Sequence, residues 1–162
     1  LDEATRTHYH STASPFLDVT NNRWSAEAIA TMANAGILKG LPDGTFAPGS
    51  PITRAEFAAI AARFSSDSYS GPHLFNDIAG HWAADEINRA AHKGWVKGGK
   101  DGRYRPDDYI TRAEAAALIN RVLERAPQTA EDLLPGMKNF PDNANTQADG
   151  VHETWTELNE NH

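Results

Sequence analysis

The sequence Ile-Thr-Arg-Ala-Glu stands at residues 52–56 and recurs unchanged at residues 110–114. A shift of about 58 residues also superimposes the segments that precede each copy, so the chain contains two copies of one unit. Neighbouring copies of such a unit commonly pack together to complete their core. The other matched pairs are Phe16 and Phe75, Asp18 and Asp77, Trp24 and Trp82, Gly36 and Gly94, Lys39 and Lys97, Asp43 and Asp101, Gly44 and Gly102, Phe46 and Tyr104, and Pro48 and Pro106.

Apolar residues recur at helical spacing after Trp24 and again after Trp82, which predicts a first helix in each unit. Gly36 and Gly94 stand where a left-handed residue commonly ends a helix. The apolar residue after each glycine suits the hydrophobic contact of a Schellman ending. Each first helix is therefore expected to begin at its tryptophan and to end before its glycine.

A second helix is predicted to begin with a capping box in each unit. The hydroxyl of Thr53 can accept the backbone N–H of Glu56, and the Glu56 carboxylate can accept the N–H of Thr53. Thr111 and Glu114 repeat this spacing. Capping is a sufficient structural role for these four side chains.

The segments between the two helices, residues 40–50 and 98–108, are rich in Gly, Pro and Asp. This composition predicts an ordered turn in each unit. Phe46 and Tyr104 are expected to hold the two turns against the core.

Metal binding and catalysis are not indicated by any motif. If Gly44 took the glycine position of a calcium-binding EF-hand loop, Lys39 would stand at the first ligand position. A lysine side chain offers no oxygen to calcium, so the turn does not match an EF-hand loop. The chain has no Cys, and its seven His include no helical metal-binding pair. No nucleophile elbow and no opposed pair of carboxylates is found. We therefore predict no enzyme activity, no metal and no cofactor.

Arg54 and Arg112 stand at the first position of the second helices, where a positive charge slightly opposes the helix macrodipole. Their repetition suggests that an anion lies nearby. A guanidinium binds a carboxylate through two parallel hydrogen bonds, and free N–H groups at a helix start would add donors for the same anion. The alternative is an internal salt bridge to Asp18, Asp77 or another acid.

The tryptophans allow two interpretations. Trp24 and Trp82 open the first helices, where a tryptophan more often belongs to the core. Trp95 lies near Lys97 and other cations of the second turn, so it could stack on a sugar or pack in the core.

Composition limits the kind of partner. The net charge is −7, which does not favour nucleic-acid binding. No apolar run approaches the roughly 20 residues of a membrane-spanning helix, so we expect no membrane insertion. Leu1 does not open a signal peptide, and we expect the sequence to begin inside a parent protein or after processing.

The unit boundaries divide the chain into six segments. An N-terminal extension, repeat 1, a linker, repeat 2, a second linker and a partial or divergent third repeat are expected at residues 1–15, 16–64, 65–74, 75–125, 126–139 and 140–162. The third repeat has only its opening, Phe140-Pro141-Asp142, and lacks the Ile-Thr-Arg-Ala-Glu sequence.

The combined pattern resembles the S-layer homology (SLH) family. The similarity is carried by Phe-x-Asp, the tryptophan, Gly-(Ile/Trp)-(Leu/Val)-Lys-Gly, Asp-Gly-x-(Phe/Tyr)-x-Pro and Ile-Thr-Arg-Ala-Glu, and it covers residues 16–124. It implies an all-α fold in which repeated helix-loop-helix units pack as a pseudo-threefold bundle. The third unit of this chain is incomplete.

The resemblance also implies a function. SLH units bind a secondary cell-wall polysaccharide in the grooves between them, commonly one carrying pyruvate ketals on N-acetylmannosamine. It implies a non-catalytic anchoring module, extracellular at the wall of a Gram-positive-type bacterium, that binds an acidic glycan. Arg54 and Arg112 would contact the sugar, and the other implied contacts are Asp43, Gly44, Asp101, Gly102, Trp24, Trp82, Trp95, Lys39 and Lys97.

A different class of function remains open at this point. The chain could be a structural oligomerisation module of a surface layer, in which the arginines pair with acids of another subunit. Self-association, or a third repeat supplied elsewhere, would then complete the bundle.

Overall fold

The computed structural model describes residues 3–124, which contain both predicted repeats. The second linker and the third repeat lie outside the described residues. Helix α1 belongs to the N-terminal extension, for which no helix was predicted, and each repeat then contributes two helices. The helices are α1 (Glu3–Tyr9), α2 (Ala26–Asn34), α3 (Arg54–Ala62), α4 (Ala84–His92) and α5 (Arg112–Val122). In this part of the chain β pairing is limited to one isolated antiparallel bridge, between Thr53 and Tyr109.

The first helix of each repeat begins two residues later than predicted, so the tryptophan lies outside it. In repeat 1 the Ala26 N–H donates to the Arg23 carbonyl (2.9 Å), and in repeat 2 the Ala84 N–H donates to the His81 carbonyl (3.0 Å). These bonds close a tight turn just before α2 and α4. The prediction that these helices start at their tryptophans is wrong, because a turn precedes the first helical residue.

The Schellman endings are confirmed in both repeats. Gly36 and Gly94 both have φ 72°, a left-handed value that glycine adopts without steric cost. The N–H of the residue after each glycine donates to a carbonyl five residues earlier, Ile37 to Met32 at 3.0 Å and Trp95 to Ala90 at 2.9 Å. This bond defines the Schellman motif and turns the chain away from the helix.

The capping boxes at the starts of α3 and α5 are also confirmed. The Thr53 hydroxyl accepts the Glu56 N–H (3.2 Å), and the Thr53 N–H donates to the Glu56 carboxylate (2.8 Å). Thr111 and Glu114 form the same pair of bonds at 3.2 and 2.9 Å.

An aspartate holds the turn of each repeat through backbone donors. The two Asp18 carboxylate oxygens accept the N–H groups of Phe46 and Ala47, both at 2.8 Å. Ala47 has φ 54°, and consecutive N–H groups with one left-handed residue form a nest that binds an anion. The Phe46 and Ala47 donors outweigh the opposing effect of burial and lower the pKa of Asp18.

Repeat 2 reproduces this nest. Asp77 accepts the N–H groups of Tyr104 and Arg105, both at 2.8 Å, and Arg105 has φ 57°. Burial raises the pKa of Asp77. The hydrogen bonds from the Tyr104 and Arg105 N–H groups outweigh this effect, so the pKa lies below its ordinary value. The aspartate of the Phe-x-Asp sequence is therefore the residue that binds each turn to the start of its own repeat.

Stacked aromatic rings add a second attachment for each turn, as predicted for Phe46 and Tyr104. Phe16 stacks on Phe46 with 5.1 Å between ring centroids, and Phe75 stacks on Tyr104 at 5.2 Å. The rings lie so close to the chain that a Cβ on Gly98 would come within 2.5 Å of the Phe75 ring. The glycine that follows the lysine in each repeat is thus required by close packing.

The larger core cluster lies between the repeats rather than inside one of them. Helix α3 of repeat 1 packs against α4 and α5 of repeat 2. The buried residues of this cluster are Ala55, Ala58, Ala61, Ile78, Ala83, Ile87, Ala90, Val96, Tyr104 and Leu118. A smaller cluster in repeat 1 contains Val19, Ala26 and Ile29. Each repeat therefore depends on its neighbour for burial of apolar surface.

The N-terminal extension lies on α2 much as the linker between the repeats lies on α4. Asn34 donates to the Tyr9 carbonyl (3.1 Å), while its counterpart His92 contacts the ring of Tyr69 in the linker with 5.1 Å between centroids. Thr31 of α2 also bonds to the backbone of Ser11. The extension thus covers a face of repeat 1 that the linker covers in repeat 2.

None of the helices within residues 3–124 has the length and apolar character needed to cross a membrane. The pseudo-threefold arrangement requires a third unit, and that unit would begin after the described residues. It stays a prediction.

Replacing Asp77 with alanine is expected to lower the free energy of unfolding by about 2–4 kcal/mol, because two charge-assisted backbone bonds are lost. Urea unfolding measures the change, with the exposed Asp85→Ala of α4 as the matched control. Since the folded-state pKa of Asp77 is lowered, its stabilisation is present above the unfolded pKa and is lost as the pH falls through the folded pKa. The difference from the parent chain should therefore shrink below about pH 4. An equal effect of both substitutions at neutral pH would contradict this role for Asp77.

Candidate functional site

The turn of repeat 2 is docked on the start of α3, the helix that carries the first Thr-Arg-Ala-Glu sequence. The Arg54 and Ala55 N–H groups donate to the carbonyls of Asp108 (2.8 Å) and Pro106 (2.9 Å). These two donors were expected to be free for an anionic ligand. For α3 that expectation is wrong, because carbonyls of the next repeat occupy them.

The Arg54 side chain extends this contact between the repeats. Its Nε donates to the Tyr104 carbonyl at 2.8 Å and its Nη2 to the Lys97 carbonyl at 3.2 Å, while Nη1 pairs with the Glu114 carboxylate. The guanidinium carbon lies 4.8 Å from the centre of the Tyr104 ring, within cation–π distance. The side chain is only 16% exposed.

Arg54 therefore has the structural role that the sequence did not reveal. Of the two alternatives, the structure contains the internal salt bridge, and its acid is Glu114 rather than Asp18 or Asp77. Asp18 and Asp77 are instead occupied by the backbone of the turns. Contact of Arg54 with a glycan stays a prediction that is restricted to the small exposed part of its side chain.

Arg112 has the same sequence context but different surroundings. It is exposed at the start of α5, and within residues 3–124 its side chain has no hydrogen bond or ion pair. The N–H groups of Arg112 and Ala113 likewise have no acceptor in that part of the chain. Within residues 3–124, the turn of a following repeat lies on the start of α3, and no such turn follows α5.

Glu114 has two roles at once. One carboxylate oxygen accepts the Thr111 N–H in the capping box, and the other pairs with Arg54. This glutamate therefore joins the start of α5 to the start of α3.

Tyr104 forms the floor of the same contact. Its ring is buried, and its hydroxyl donates to the Arg54 carbonyl at 2.9 Å. Burial raises the pKa of Tyr104 to about 12, although the nearby Arg54 charge opposes the change. The neutral phenol is thus part of the interface between the repeats.

The tryptophans at the head of each repeat are exposed. Trp24 is 93% exposed and Trp82 is 63% exposed, so the interpretation that they belong to the core is wrong. The turn before each helix directs both side chains toward solvent. The residue before Trp82 contacts the turn of repeat 2, because the ring of His81 forms a hydrogen bond with the Asp107 carboxylate at 3.2 Å.

Trp95 differs from the other two tryptophans. It is partly buried and packs against the larger core cluster. Its carbonyl accepts a bond from Arg121 (3.3 Å), and the Lys93 ammonium lies 6.0 Å from its ring centre. Most of the Trp95 surface is covered by the core, so a sugar could contact only its exposed edge.

The Asp-Gly pairs shape the tips of the turns. Asp43 accepts both the N–H (2.9 Å) and the hydroxyl (2.6 Å) of Thr45, and these bonds lower its pKa, the hydroxyl bond most. Asp101 accepts the Arg103 N–H at 3.2 Å. Gly44 and Gly102 have φ 82° and 73°. All four residues are exposed, as are Lys39 and Lys97.

The structure thus brings Arg54, Lys97 and the tip of the second turn into one region, and Glu114 joins the start of α5, where Arg112 stands, to Arg54. Sequence reasoning missed the anchoring roles of Asp18 and Asp77 and the second role of Glu114. The recurrence of Phe-x-Asp was a signal for the first, since a repeated acid before a glycine-rich turn can bind its N–H groups. No local signal exists for the pairing of Arg54 with Glu114.

No group of three or more His, Cys, Asp or Glu side chains in residues 3–124 is arranged to hold a metal ion. The cations and exposed aromatic rings of this region suit an anionic or sugar ligand better than a metal.

Comparison with known families decides the classification. The family model of the S-layer homology domain matches residues 15–58 and 74–116, together more than half of the chain. The chain belongs to the S-layer homology family. The resemblance deduced from the repeated motifs is confirmed, and the two matches correspond to the two repeats described above.

Three curated relatives illustrate where SLH sequences occur. The chain is 39% identical over 143 residues to cell surface glycoprotein 1 and 41% identical over 118 residues to the cellulosome-anchoring protein, both of Acetivibrio thermocellus. It is 35% identical over 132 residues to an amylopullulanase of Thermoanaerobacterium thermosulfurigenes. These matches cover 80%, 69% and 78% of this chain but only 6%, 26% and 7% of the relatives.

SLH domains anchor surface proteins to the cell wall and bind wall polysaccharides, and this SLH chain is placed at the cell-wall surface. The presence of SLH sequence in an amylopullulanase is consistent with an anchoring domain attached to different parent proteins.

The two arginines should differ in their effect on folding. Arg54→Ala is expected to lower the free energy of unfolding by about 2–4 kcal/mol, because a largely buried guanidinium and its acceptors lose their partners. Arg112→Ala should change it by no more than about 0.5 kcal/mol, as is usual for an exposed side chain. Urea unfolding of the two variants measures both values. Equal destabilisation would show that the contacts of Arg54 are not those described.

Tyr104→Phe places in repeat 2 the residue that repeat 1 has at position 46. At neutral pH we expect a loss of about 1 kcal/mol for the hydrogen bond to Arg54. Tyrosine in the unfolded chain ionises near pH 10, whereas folded Tyr104 ionises near 12, so the parent chain loses stability between these values. The variant has no phenol at this position and does not undergo this loss of stability. It should therefore become the more stable protein as the pH approaches 12. Urea midpoints at pH 8, 10 and 11 test the crossing, and parallel curves would contradict it.

Proposed function

We propose that this SLH module anchors its parent protein by binding an acidic secondary cell-wall polysaccharide, in the form that carries pyruvate ketals, along the grooves beside its repeats. The module supplies binding without catalysis. Its parent protein supplies any other activity.

The observation that carries this proposal is the exposure of Trp24 and Trp82. Burial of a large aromatic side chain would stabilise the fold by roughly 2 kcal/mol, and a side chain exposed to this degree lacks that contribution. Here it does so at equivalent positions in both repeats. An exposed indole offers a flat apolar face with a polar N–H, which suits the apolar face of a sugar ring. The two tryptophans would form stacking platforms at matching places.

The proposal assigns the main anion contact to Arg112. Its guanidinium has no partner within residues 3–124 and can bind both oxygens of a ketal carboxylate, and the neighbouring N–H groups of α5 can add to that contact. Arg54 is mostly occupied by Lys97, Tyr104 and Glu114, so it would support the groove wall and contact the glycan only at its exposed edge.

The turns would supply the remaining contacts. The exposed Asp-Gly tips can hydrogen-bond to sugar hydroxyls, and the lysine before each turn, Lys39 or Lys97, adds a positive charge. The exposed edge of Trp95 could complete the groove of repeat 2.

Co-sedimentation with purified wall sacculi tests the proposal. The full chain should sediment with native sacculi and remain in solution with sacculi whose secondary polysaccharide has been removed by acid. Equal binding to both preparations would locate the receptor in the peptidoglycan and overturn the proposal. Binding to neither, with a particle mass that rises with protein concentration, would favour the structural oligomerisation module.

Substitution identifies the residues. Arg112→Ala should lower the affinity for native sacculi about 10- to 100-fold, which corresponds to the loss of a charge-assisted contact of roughly 1.5–3 kcal/mol. Arg112→Lys keeps the charge but loses the paired hydrogen bonds, and it should bind with intermediate affinity. Trp82→Ala should weaken binding with little change in the urea midpoint. Full affinity of the Arg112→Ala variant would remove this arginine from the site.

A further inference from the structure

The turns of the two repeats share one backbone conformation but differ in the charges of their side chains. We define the first turn as residues 39–47 and the second turn as residues 97–105. In the first, the Leu41 N–H donates to the Thr45 carbonyl at 2.7 Å; in the second, the Gly99 N–H donates to the Arg103 carbonyl at 2.8 Å. Each turn also ends in a nest around an aspartate. The fold therefore places equivalent side chains in equivalent positions.

The charges at those positions differ strongly. The first turn contains one cation and one acid, Lys39 and Asp43, whereas the second contains four cations and one acid. Two further acids, Asp107 and Asp108, follow the second turn where repeat 1 has Gly49 and Ser50. The whole chain has a net charge of −7, so this concentration of positive charge opposes the overall composition. The four cations of the second turn are Lys97, Lys100, Arg103 and Arg105.

The fold does not require the two arginines. Arg103 and Arg105 correspond to Thr45 and Ala47 in the first turn, where the same bonds form without them. Arg105 has φ 57° and Ala47 has φ 54°, so the left-handed backbone at this position is also adopted by alanine. Turn geometry therefore does not account for the two arginines.

Neighbouring acids neutralise the second turn only in part. Arg105 pairs with Asp101 at 2.7 Å but its side chain remains 47% exposed. Arg103 is 58% exposed, and its Nε lies 3.7 Å from Asp77, whose oxygens already accept two backbone N–H groups. The Lys97 and Lys100 side chains are exposed as well. Exposed cationic side chains thus lie beside Arg54, which binds the carbonyls of Tyr104 and Lys97.

We propose that the second turn is an electrostatic subsite that binds an additional anionic group of the wall glycan, and that the first turn has no such subsite. Repeat 2 then binds a polyanionic glycan more strongly than repeat 1 does. This inference rests on the proposed function, because it assumes that a wall glycan is the ligand. The ligand chemistry is a chain of sugars with carboxylates or phosphates spaced so that one glycan contacts the turn and the neighbouring groove together.

Exchange of residues between the turns provides a matched test. The variant Arg103→Thr/Arg105→Ala gives the second turn the residues of the first, and Thr45→Arg/Ala47→Arg does the reverse. A third variant, Arg89→Ala/Lys93→Ala, removes two cations from α4 at the side facing the linker and controls for total charge. Urea unfolding should show that all three variants remain folded.

Binding to native sacculi is then measured across a range of NaCl concentrations. At low salt we expect Arg103→Thr/Arg105→Ala to bind about fivefold more weakly than the parent chain and the reverse exchange to bind more tightly. The control on α4 should bind within about twofold of the parent. Near 1 M NaCl, where the Debye length is about 3 Å, the differences should largely disappear.

The outcomes separate this inference from the proposed function. If the parent chain binds native but not acid-stripped sacculi and Arg103→Thr/Arg105→Ala binds like the parent at low salt, the subsite is refuted and the anchoring function stands. If the parent chain does not distinguish the two preparations, the proposed function itself fails. A loss of equal size in the α4 control would also refute the subsite, since total charge would then explain it.

Soluble polymers identify the anionic group. Polygalacturonate presents carboxylates and inorganic polyphosphate presents phosphates, and each is added as a competitor at equal charge concentration. The proposal expects at least one of them to displace the parent chain from sacculi more effectively than it displaces Arg103→Thr/Arg105→Ala. The more effective polymer indicates the chemistry of the group that the turn binds. Equal displacement of both proteins by each polymer would overturn the proposal.

Discussion

The attachment of each turn to an aspartate is the interaction on which the rest of the structure depends. Asp18 and Asp77 each accept two consecutive backbone N–H groups, so one carboxylate, together with a stacked aromatic pair, holds each glycine-rich turn in place. In repeat 2 the segment held in this way presents the carbonyls of Pro106 and Asp108 to the start of α3. Without the aspartate, the acceptors that join the repeats would have no defined position.

The contact between the repeats combines apolar burial with polar bonds that neither repeat can satisfy alone. Small alanine side chains on α3 allow α4 to approach closely, and Tyr104 fills the space beside them. At the same place the Arg54 guanidinium satisfies two carbonyls and one carboxylate. Apolar burial favours association of the repeats, while the directional bonds of Arg54 select the register in which they associate.

Identical sequence motifs have different surroundings within residues 3–124. The first Thr-Arg-Ala-Glu sequence faces a following repeat, and its arginine is largely buried there. The arginine of the second is exposed among these residues. The turns show the complementary case: the same backbone conformation carries one cationic side chain in repeat 1 and four in repeat 2. A repeated fold can in this way provide a common framework with unequal binding surfaces.

Features with local causes could be predicted from the order of the residues. Capping boxes, Schellman endings and Asp-Gly turns each depend on residues within about six positions of one another, so the spacing of residue types was sufficient to predict them. The repeat also revealed the family. The tertiary structure alone decided the role of Arg54, whose partners lie 43 to 60 positions away. It also decided the docking of α1 on α2 and the exposure of Trp24 and Trp82. These features depend on which surfaces meet after the chain has folded, and the residue types at those positions are compatible with either a buried or an exposed place.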